Sequence, residues 1–546
     1  MFNFNQQKMT NKIIYIALLA ATLSGCKKSF LDEDTSGFLS PENSYTSTAG
    51  FEAGLNGLYA YARLEFQTWD FAGSLFTQGA TPQEALQVGT DIVATKTNGP
   101  DGSLVPFANY SLDNNSSYVR NYYKFGYGLI ANANTIIHAL DNNEIAWDDP
   151  DNDPQRVRAT ALFFRAYGYR YLINLYGDVP WVEEVSSEPR TDFTRMPKME
   201  VIQHMIDDLK FASENLPDNP DALEDGRLTK WAALHYLAED YLIAQKPDSA
   251  IIAAKQVVAS GHYSLNKARF GAEKDQDGDV FHDMFIEHNQ NRKSGNRETI
   301  WAIQLEYNTQ GGGDLYTDWS KRAWVPFYAN LGGFTLADSL GGRGLGQIRP
   351  FDWWLNSYEA KDIRNSEYNI KRNWYYNDPT SPLYGKKVTI TQQIISSGNL
   401  FPTTTKFFYG KTADNPAFEG NMKDRVKIRL AETYLLLAEA YLQQHNQAAA
   451  AEAINVVRER ANASPIAVAE VDVDYLLDER ARELIGEEMR RMTLSRFGEE
   501  VFLRRVKDLN EQSAGKVQKH HLLWPIPQEV IDANSGAEFP QNPGYN

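Results

Sequence analysis

The 546-residue chain contains a single cysteine, Cys26. That excludes an intramolecular disulfide framework and any zinc or iron–sulfur site built from thiolates. Positive charge is also scarce. Lys and Arg number 54 against 71 Asp and Glu, for a formal charge of −17. Without a basic face there is no counterion release to drive nucleic-acid binding. Past the N-terminus no stretch reaches the roughly 18–20 apolar residues of a spanning helix. Catalytic signatures are missing too. None of the nine histidines stands in His-Glu-x-x-His, and there is no Gly-x-Ser-x-Gly elbow. Gly410-Lys411-Thr412 ends like a phosphate loop but has Thr405 where the first glycine belongs. Carboxylates are so frequent that pairing alone nominates no glycosidase. What is there is 42% hydrophobic and 23% charged, the composition of a folded globular chain. It is long enough for two to four ordinary domains or one large helical array.

The lone cysteine ends a segment with the three parts of an export signal. Lys8 and Lys12 make a positive start, Ile13 to Leu23 an apolar run too short to span a bilayer, and small residues follow. Leu23-Ser24-Gly25-Cys26 resembles the bacterial lipobox, where only a thiol can form the thioether to diacylglycerol. The alternative is an ordinary signal peptide with a chance cysteine, but charge, length, small residues and thiol all coincide here. Residues 1–25 are therefore expected to be a lipoprotein signal peptide and Cys26 the lipid attachment site. Losing Lys8 and Lys12 takes the formal charge from −17 to −19. Several acyl chains, at about 0.8 kcal/mol per buried methylene, anchor a protein stably.

Helical periodicity begins near Ser47 and runs through Phe51, Leu55, Leu58 and Tyr59. Residues 89 to 118 read as a long exposed loop, 119 to 140 as a helix, and Asp141 to Pro154 as an acidic linker. Gln155 to Tyr176 is a helix closed by Gly177 and Pro180, and Val201 to Leu216 and Tyr475 to Phe497 are amphipathic. Self-similarity is the most informative signal. Leu237-Ala238-Glu239-Asp240-Tyr241-Leu242 recurs as Leu437-Ala438-Glu439-Ala440-Tyr441-Leu442, and in the same register Ala250 meets Ala450, Ala253 meets Ala453 and Val257 meets Val457. Each window is two helices joined by a polar turn. Small residues at Ala238 and Ala250 with Tyr241 between them match the close-packed pair of a tetratricopeptide unit. The expected fold is mostly α: tetratricopeptide-like helical pairs forming a scaffold over 26–262 and 425–546. A large irregular, aromatic-rich insertion, 263–424, interrupts them, with short strands at Thr299 to Leu305 and Lys387 to Ile395. Irregular segments of that length are usually functional surfaces.

Two constellations in the insertion suggest ligands. Asp275-Gln276-Asp277-Gly278-Asp279, followed by Asp283, is a candidate calcium loop, with hard oxygens at alternate positions. Its glycine stands two places early for an EF-hand and Ile286 replaces the twelfth-position glutamate, so a solvated acidic turn is the competing reading. The run Gly341 to Gly346 neither follows a clear strand nor opens a helix, and reads as a flexible loop. Six of the eleven tryptophans also fall here: Trp301, Trp319, Trp324, Trp353, Trp354 and Trp374. Indole and phenol faces stack on the C–H face of a sugar while nearby polar groups bond its hydroxyls. Tyr316, Trp319 and Trp324 lie in a polar, glycine-flanked stretch, and one of Trp353 and Trp354 can face a ligand. Packing the insertion's own core is the competing role.

Several blocks resemble the SusD/RagB family of outer-membrane nutrient-binding lipoproteins of Bacteroidetes. They are Phe30-Leu31-Asp32 through Leu39-Ser40-Pro41, Phe51 to Tyr59, Phe163-Phe164-Arg165-Ala166-Tyr167 and Leu175-Tyr176-Gly177-Asp178-Val179-Pro180. Further on come Gly226-Arg227-Leu228-Thr229-Lys230, Arg429 to Ala440, Val457-Arg458-Glu459-Arg460-Ala461 and Glu479-Arg480-Ala481-Arg482-Glu483-Leu484. The chain closes on Pro525-Ile526-Pro527 and Gln541-Asn542-Pro543-Gly544-Tyr545. The central insertion has little to match, and Glu488 and Thr493 replace a usual glycine and a usual aspartate. The resemblance implies a mostly helical SusD-like domain over 26–546, no catalysis, no cofactor beyond the candidate calcium, and a TonB-dependent SusC-like barrel as partner. It implies an oligosaccharide ligand held by the insertion near 307 to 328 and by an N-terminal loop near 89 to 101. Asp91 and Asn98 thereby join Tyr316, Trp319, Trp324 and Trp353 as ligand-binding candidates. RagB-like members handle peptides, which is the alternative ligand class; a lipid-anchored glycosidase is the alternative from a different class. The implied location is the outer membrane, lipid-anchored, at the cell surface.

Overall fold

A computed structural model describes residues 44–66, 82–96, 102–145, 147, 153–186, 188–307, 309, 311–313, 318–409 and 420–545. Helix α1 (Thr48–Arg63) starts where the Ser47 side chain accepts the Gly50 amide, and buries Phe51, Leu55 and Leu58 on one face. Helices α2 (Ser117–Asn142) and α3 (Pro154–Tyr176) pack side by side. Asp153 caps α3 by accepting the Arg156 amide at 2.8 Å, and Pro154 takes the first helical position, where its missing N–H is not needed. Every α3 residue from Ala159 to Tyr176 is buried, so this helix is enclosed on all sides. Arg165 and Arg170 are tolerated inside because Asp208 and Glu239 each meet them with paired bonds of 2.7–3.0 Å.

Helices α4 (Lys198–Asn215), α5 (Lys230–Ile243) and α6 (Pro247–Val258) continue the stack, each packing on the one before. The chain then leaves the stack and rejoins it as α7 (Leu430–Gln443) and α8 (Gln447–Arg460), with α7 seated on α6. The scaffold is thus continuous in space across the sequence interruption. Ala238, Ala250, Ala438 and Ala450 are buried at the close contacts, with Tyr241 and Tyr441 half-buried beside them. The repeat extends to the backbone. Gln245 and His445 both turn left-handed, at φ 55° and 58°. The Lys246 and Asn446 amides return to the Tyr241 and Tyr441 carbonyls at 2.8 Å each.

The strands are short. β1 (Val93–Thr95) pairs antiparallel with β3 (Ile348–Pro350), and β2 (Thr299–Ile303) with β4 (Arg425–Arg429), the residues leading into α7. A satellite core of Val325, Tyr328, Phe334, Trp374, Val388 and Leu400 sits within the insertion. Among the described residues no helix is long and apolar enough to cross a membrane.

The structure departs from the sequence expectations in four places. Residues 89–118 are not an exposed loop where described: Ile92, Val93, Leu104 and Phe107 are buried apolar residues spaced among the polar ones. Lys387 to Ile395 contributes one bridge, to Tyr375, and then a short helix, Gln392–Ser396, whose Ile394 amide the Thr391 hydroxyl accepts. The amphipathic run from Tyr475 is two helices, α9 (Val473–Leu484) and α10 (Arg490–Arg496), followed by α11 (Glu499–Leu509). The break is at Gly486, where φ is 74° and a Cβ would lie 2.5 Å from the Phe407 ring. The glycine run 341–346 is pinned, not free: the Leu345 amide bonds Arg322 O at 2.8 Å and the Gly346 amide bonds Val325 O at 2.9 Å.

Candidate functional site

Of the six residues that the sequence nominates for ligand, the four that the structure describes, Asp91, Trp319, Trp324 and Trp353, are buried or half-buried and bonded or packed within the fold. Asp91 is fully buried and accepts two bonds from Arg490, at 2.8 and 2.7 Å, and one from Arg505 at 2.8 Å. Burial alone would raise its pKa, but the two guanidiniums outweigh burial and hold the carboxyl at about 2. Trp324 is 1% exposed, stacks on Phe407 at 4.9 Å and donates to Glu84 at 3.2 Å. Trp319 is 5% exposed with the Arg322 guanidinium 4.3 Å above its ring. Trp353 and Trp354 share one helical turn. Trp354 is buried and donates to Ala481 O at 2.8 Å; Trp353 is half-buried and donates to Asp91 O at 2.6 Å. These indoles belong to the core because the insertion has few long helices, and its largest apolar side chains do the packing that helices do elsewhere. Cys26, Asn98 and Tyr316 lie outside the described residues.

The acidic turn is also accounted for. Arg269 places its guanidinium inside it, donating to Asp283 at 2.7 Å, Gln276 O at 2.9 Å and Glu273 O at 2.8 Å. Asp279 caps the following turn at His282 N and accepts Ser366 Oγ at 2.6 Å and Asn369 Nδ2 at 2.9 Å, while Asp275 and Asp277 are exposed. A cation of the protein's own occupies the loop that the calcium reading left for an ion. No group of three His, Cys, Asp or Glu that could hold a metal occurs among the described residues.

The aromatics that do face solvent are tyrosines. Among the described residues, the large aromatic side chains that are well exposed are Tyr307, Tyr368, Tyr375 and Tyr384, between 41% and 60%, and all four lie within 263–424. Tyr307 is presented on a tight turn closed by Glu306 N to Gly312 O and Gly312 N to Thr309 O, both 2.9 Å. Asp424 accepts the Leu305 amide at 2.7 Å, and Arg63 at the end of α1 donates to Gln304 O at 2.8 Å and to Gly311 O. The turn is therefore held by both the scaffold helix and the residue just before β4. Burial pushes the Asp424 carboxyl up to about 6, against the two bonds that favour its charge. Tyr409 lies near enough to Tyr307 for the two to interact electrostatically, and donates to Glu287 at 3.0 Å. Tyr375 and Tyr384 sit on a hairpin whose ladder includes Tyr376 N to Lys386 O at 3.1 Å and Gly385 N to Tyr376 O at 2.9 Å. Sequence reasoning passed over these tyrosines in favour of tryptophan. Their Gly, Asn, Pro and Ser neighbours were the available signal.

A cavity of about 670 Å³ lies elsewhere, between α2, residues 180–193 and the C-terminal residues 529–539. Tyr123, Tyr127, Phe193 and Phe539 line it, and a Lys124–Glu529 ion pair of 2.9 Å crosses its rim. Three of its polar groups are already bonded within the fold: Tyr127 donates to Pro180 O at 2.8 Å, Asn134 to Val182 O at 2.8 Å and Asn534 to Phe193 O at 2.8 Å.

With that geometry in hand, comparisons place the chain among known proteins. A model of the SusD family matches residues 297–545, and one described as "Starch-binding associating with outer membrane" matches residues 77–242. A SusD-like protein of Formosa agariphila is 27% identical over 98% of this chain and 99% of its own length. The starch-binding protein SusD of Bacteroides thetaiotaomicron is 24% identical over 72% of this chain and 74% of its own. Surface glycan-binding protein A of the same organism, solved with laminarihexaose, superposes with a TM-score of 0.69 at 18% identity, over 91% of this chain and 100% of that one.

Proposed function

The chain belongs to the SusD/RagB family, and from that premise we propose that it captures an oligosaccharide at the cell surface and hands it to a TonB-dependent, SusC-like barrel. In this reading residues 1–25 are removed, acyl chains on Cys26 hold the protein at the outer membrane, and 26–262 with 425–546 form the scaffold. Residues 263–424 carry the ligand face. The observation that carries the reading is the confinement of the exposed large aromatics, among the described residues, to that insertion. Phenol rings stack on pyranose faces with little entropy lost, and their hydroxyls reach sugar oxygens. The starch-binding relative and the laminarihexaose complex favour glycan over peptide. The family description that names the outer membrane favours that location.

The protein acts as a binder that leaves glycosidic bonds intact, as capture ahead of transport requires. Purification from the outer membrane in mild detergent tests partner and chemistry together. A barrel should copurify, and an oligosaccharide incubated with the complex should be recovered at its original chain length. Shortened products, or saturable binding of peptides in place of glycans, would sink the reading.

A further inference from the structure

A second cavity, of about 140 Å³, lies where β1 ends against the insertion. Its floor is apolar: Ala94, Ile348 and Phe401 are buried, and Ile395 is half-buried beside them. Two left-handed glycines shape it. A Cβ on Gly346 (φ 56°) would stand 2.1 Å from Gly398 O, and one on Gly398 (φ 73°) would stand 2.7 Å from Gly346 O and 3.2 Å from the Lys96 side chain. Gln512 fixes the strand end by accepting Thr95 N at 2.9 Å and donating to Thr95 O at 2.7 Å, which aims the next residue, Lys96, at the cavity.

The charges are what single this cavity out. Lys96 and Arg349 line it, and among the described residues no carboxylate does. Arg349 reaches Glu511 at 3.5 Å, but that carboxylate is 77% exposed, and an exposed pair at this separation contributes little. Lys96 has no ion pair among the described residues. Two cations thus line one concavity in a chain of formal charge −17, and an anion seated there can pair with both. Arginine offers a planar fork to an oxyanion and lysine a point charge, with the Gln392 amide at the rim.

Size decides how much of a ligand enters. At about 140 Å³ the cavity is well below the roughly 300–1,000 Å³ of a typical ligand pocket, room for an acidic substituent and the edge of one ring but not for an oligosaccharide.

We propose that this cavity is an anionic subsite, and that the captured glycan carries oxyanion substituents, as in a uronic acid or a sulfated sugar. The proposal rests on the glycan-capture reading. It is tested by titrating the full folded protein with oligogalacturonate, sulfated carrageenan oligosaccharide and laminarihexaose at two salt concentrations. At least one acidic ligand should bind more tightly than laminarihexaose and weaken as salt rises. Lys96→Ala and Arg349→Gln should each cost that ligand on the order of tenfold while leaving laminarihexaose unaffected. Arg349→Lys should retain part of the affinity. Which acidic ligand responds separates carboxylate from sulfate. Acidic ligands that bind no better than laminarihexaose, or that ignore both substitutions, would overturn the subsite and leave glycan capture standing. If no oligosaccharide of any class binds protein with a normal melting transition, both readings fall.

Discussion

Arg364 of the insertion donates to Glu483 of helix α9 at 2.8 Å, with both side chains fully buried. The same carboxylate accepts Arg429, at the start of α7, and Arg460, at the end of α8. The same Arg364 nitrogen also donates to Glu479 at 2.8 Å. Burial alone would raise the Glu483 pKa, but Arg460, Arg429 and Arg364 outweigh it and hold the carboxyl far below the usual range. Insertion and scaffold are thereby locked through one acidic side chain of α9, which fixes where the insertion sits.

Glu483→Gln should therefore destabilise the protein by about 3–5 kcal/mol, because three buried guanidiniums lose their shared counter-charge. Urea unfolding measures this. A loss below about 1 kcal/mol would mean that the network does not anchor the insertion.

Two sets of carboxylates give stability opposite slopes with pH. Asp91, Glu239 and Glu479 titrate near 2 in the fold. Each is depressed below its unfolded value, so their contribution is present above about pH 4 and is lost as pH falls toward 2. Glu84 is pushed up to about 8 by burial and by the neighbouring Asp318 carboxylate, against the pull of Arg425. Its folded pKa lies above its unfolded one, so stability falls as pH rises from about 4.5 to 8. Glu84→Gln should flatten that alkaline decline in thermal melts from pH 5 to 9. An unchanged slope would assign the decline to other groups.

Much of the scaffold was legible in the sequence, because tetratricopeptide-like packing requires small residues at fixed positions and Ala238, Ala250, Ala438 and Ala450 display them. The site was less so. Trp319, Trp324 and Asp91 have the residue types of a sugar site, yet their burial depends on long-range partners such as Phe407, Arg490 and Arg505 that no local pattern reveals. The two departures in the C-terminal block are coupled in the same way. Thr493 donates to Glu488 at 3.0 Å, and Glu488 in turn pairs with Arg480 and Arg490. Together they serve packing near α9 and α10.

Trp324→Ala should act on stability, not on ligand contact. Removing a buried indole that stacks on Phe407 should cost about 3–5 kcal/mol. Calorimetry at a temperature where the variant is still folded should give near-native affinity for a bound oligosaccharide. A selective loss of affinity at unchanged stability would return Trp324 to the ligand site.

Cys26→Ser removes the only thiol of the chain and should move the protein from the outer-membrane fraction to the soluble one. A variant that still fractionates with the membrane as before would contradict the lipid anchor.

Glycan capture by the exposed tyrosines is tested most directly by isothermal titration of an oligosaccharide panel into the wild-type protein and Tyr307→Ala. The account predicts saturable binding of an intact oligosaccharide and a loss of roughly 0.5–1.5 kcal/mol of binding free energy on removing the ring, with the melting temperature unchanged. A ligand that binds equally well to Tyr307→Ala, Tyr375→Ala and Tyr384→Ala would contradict it.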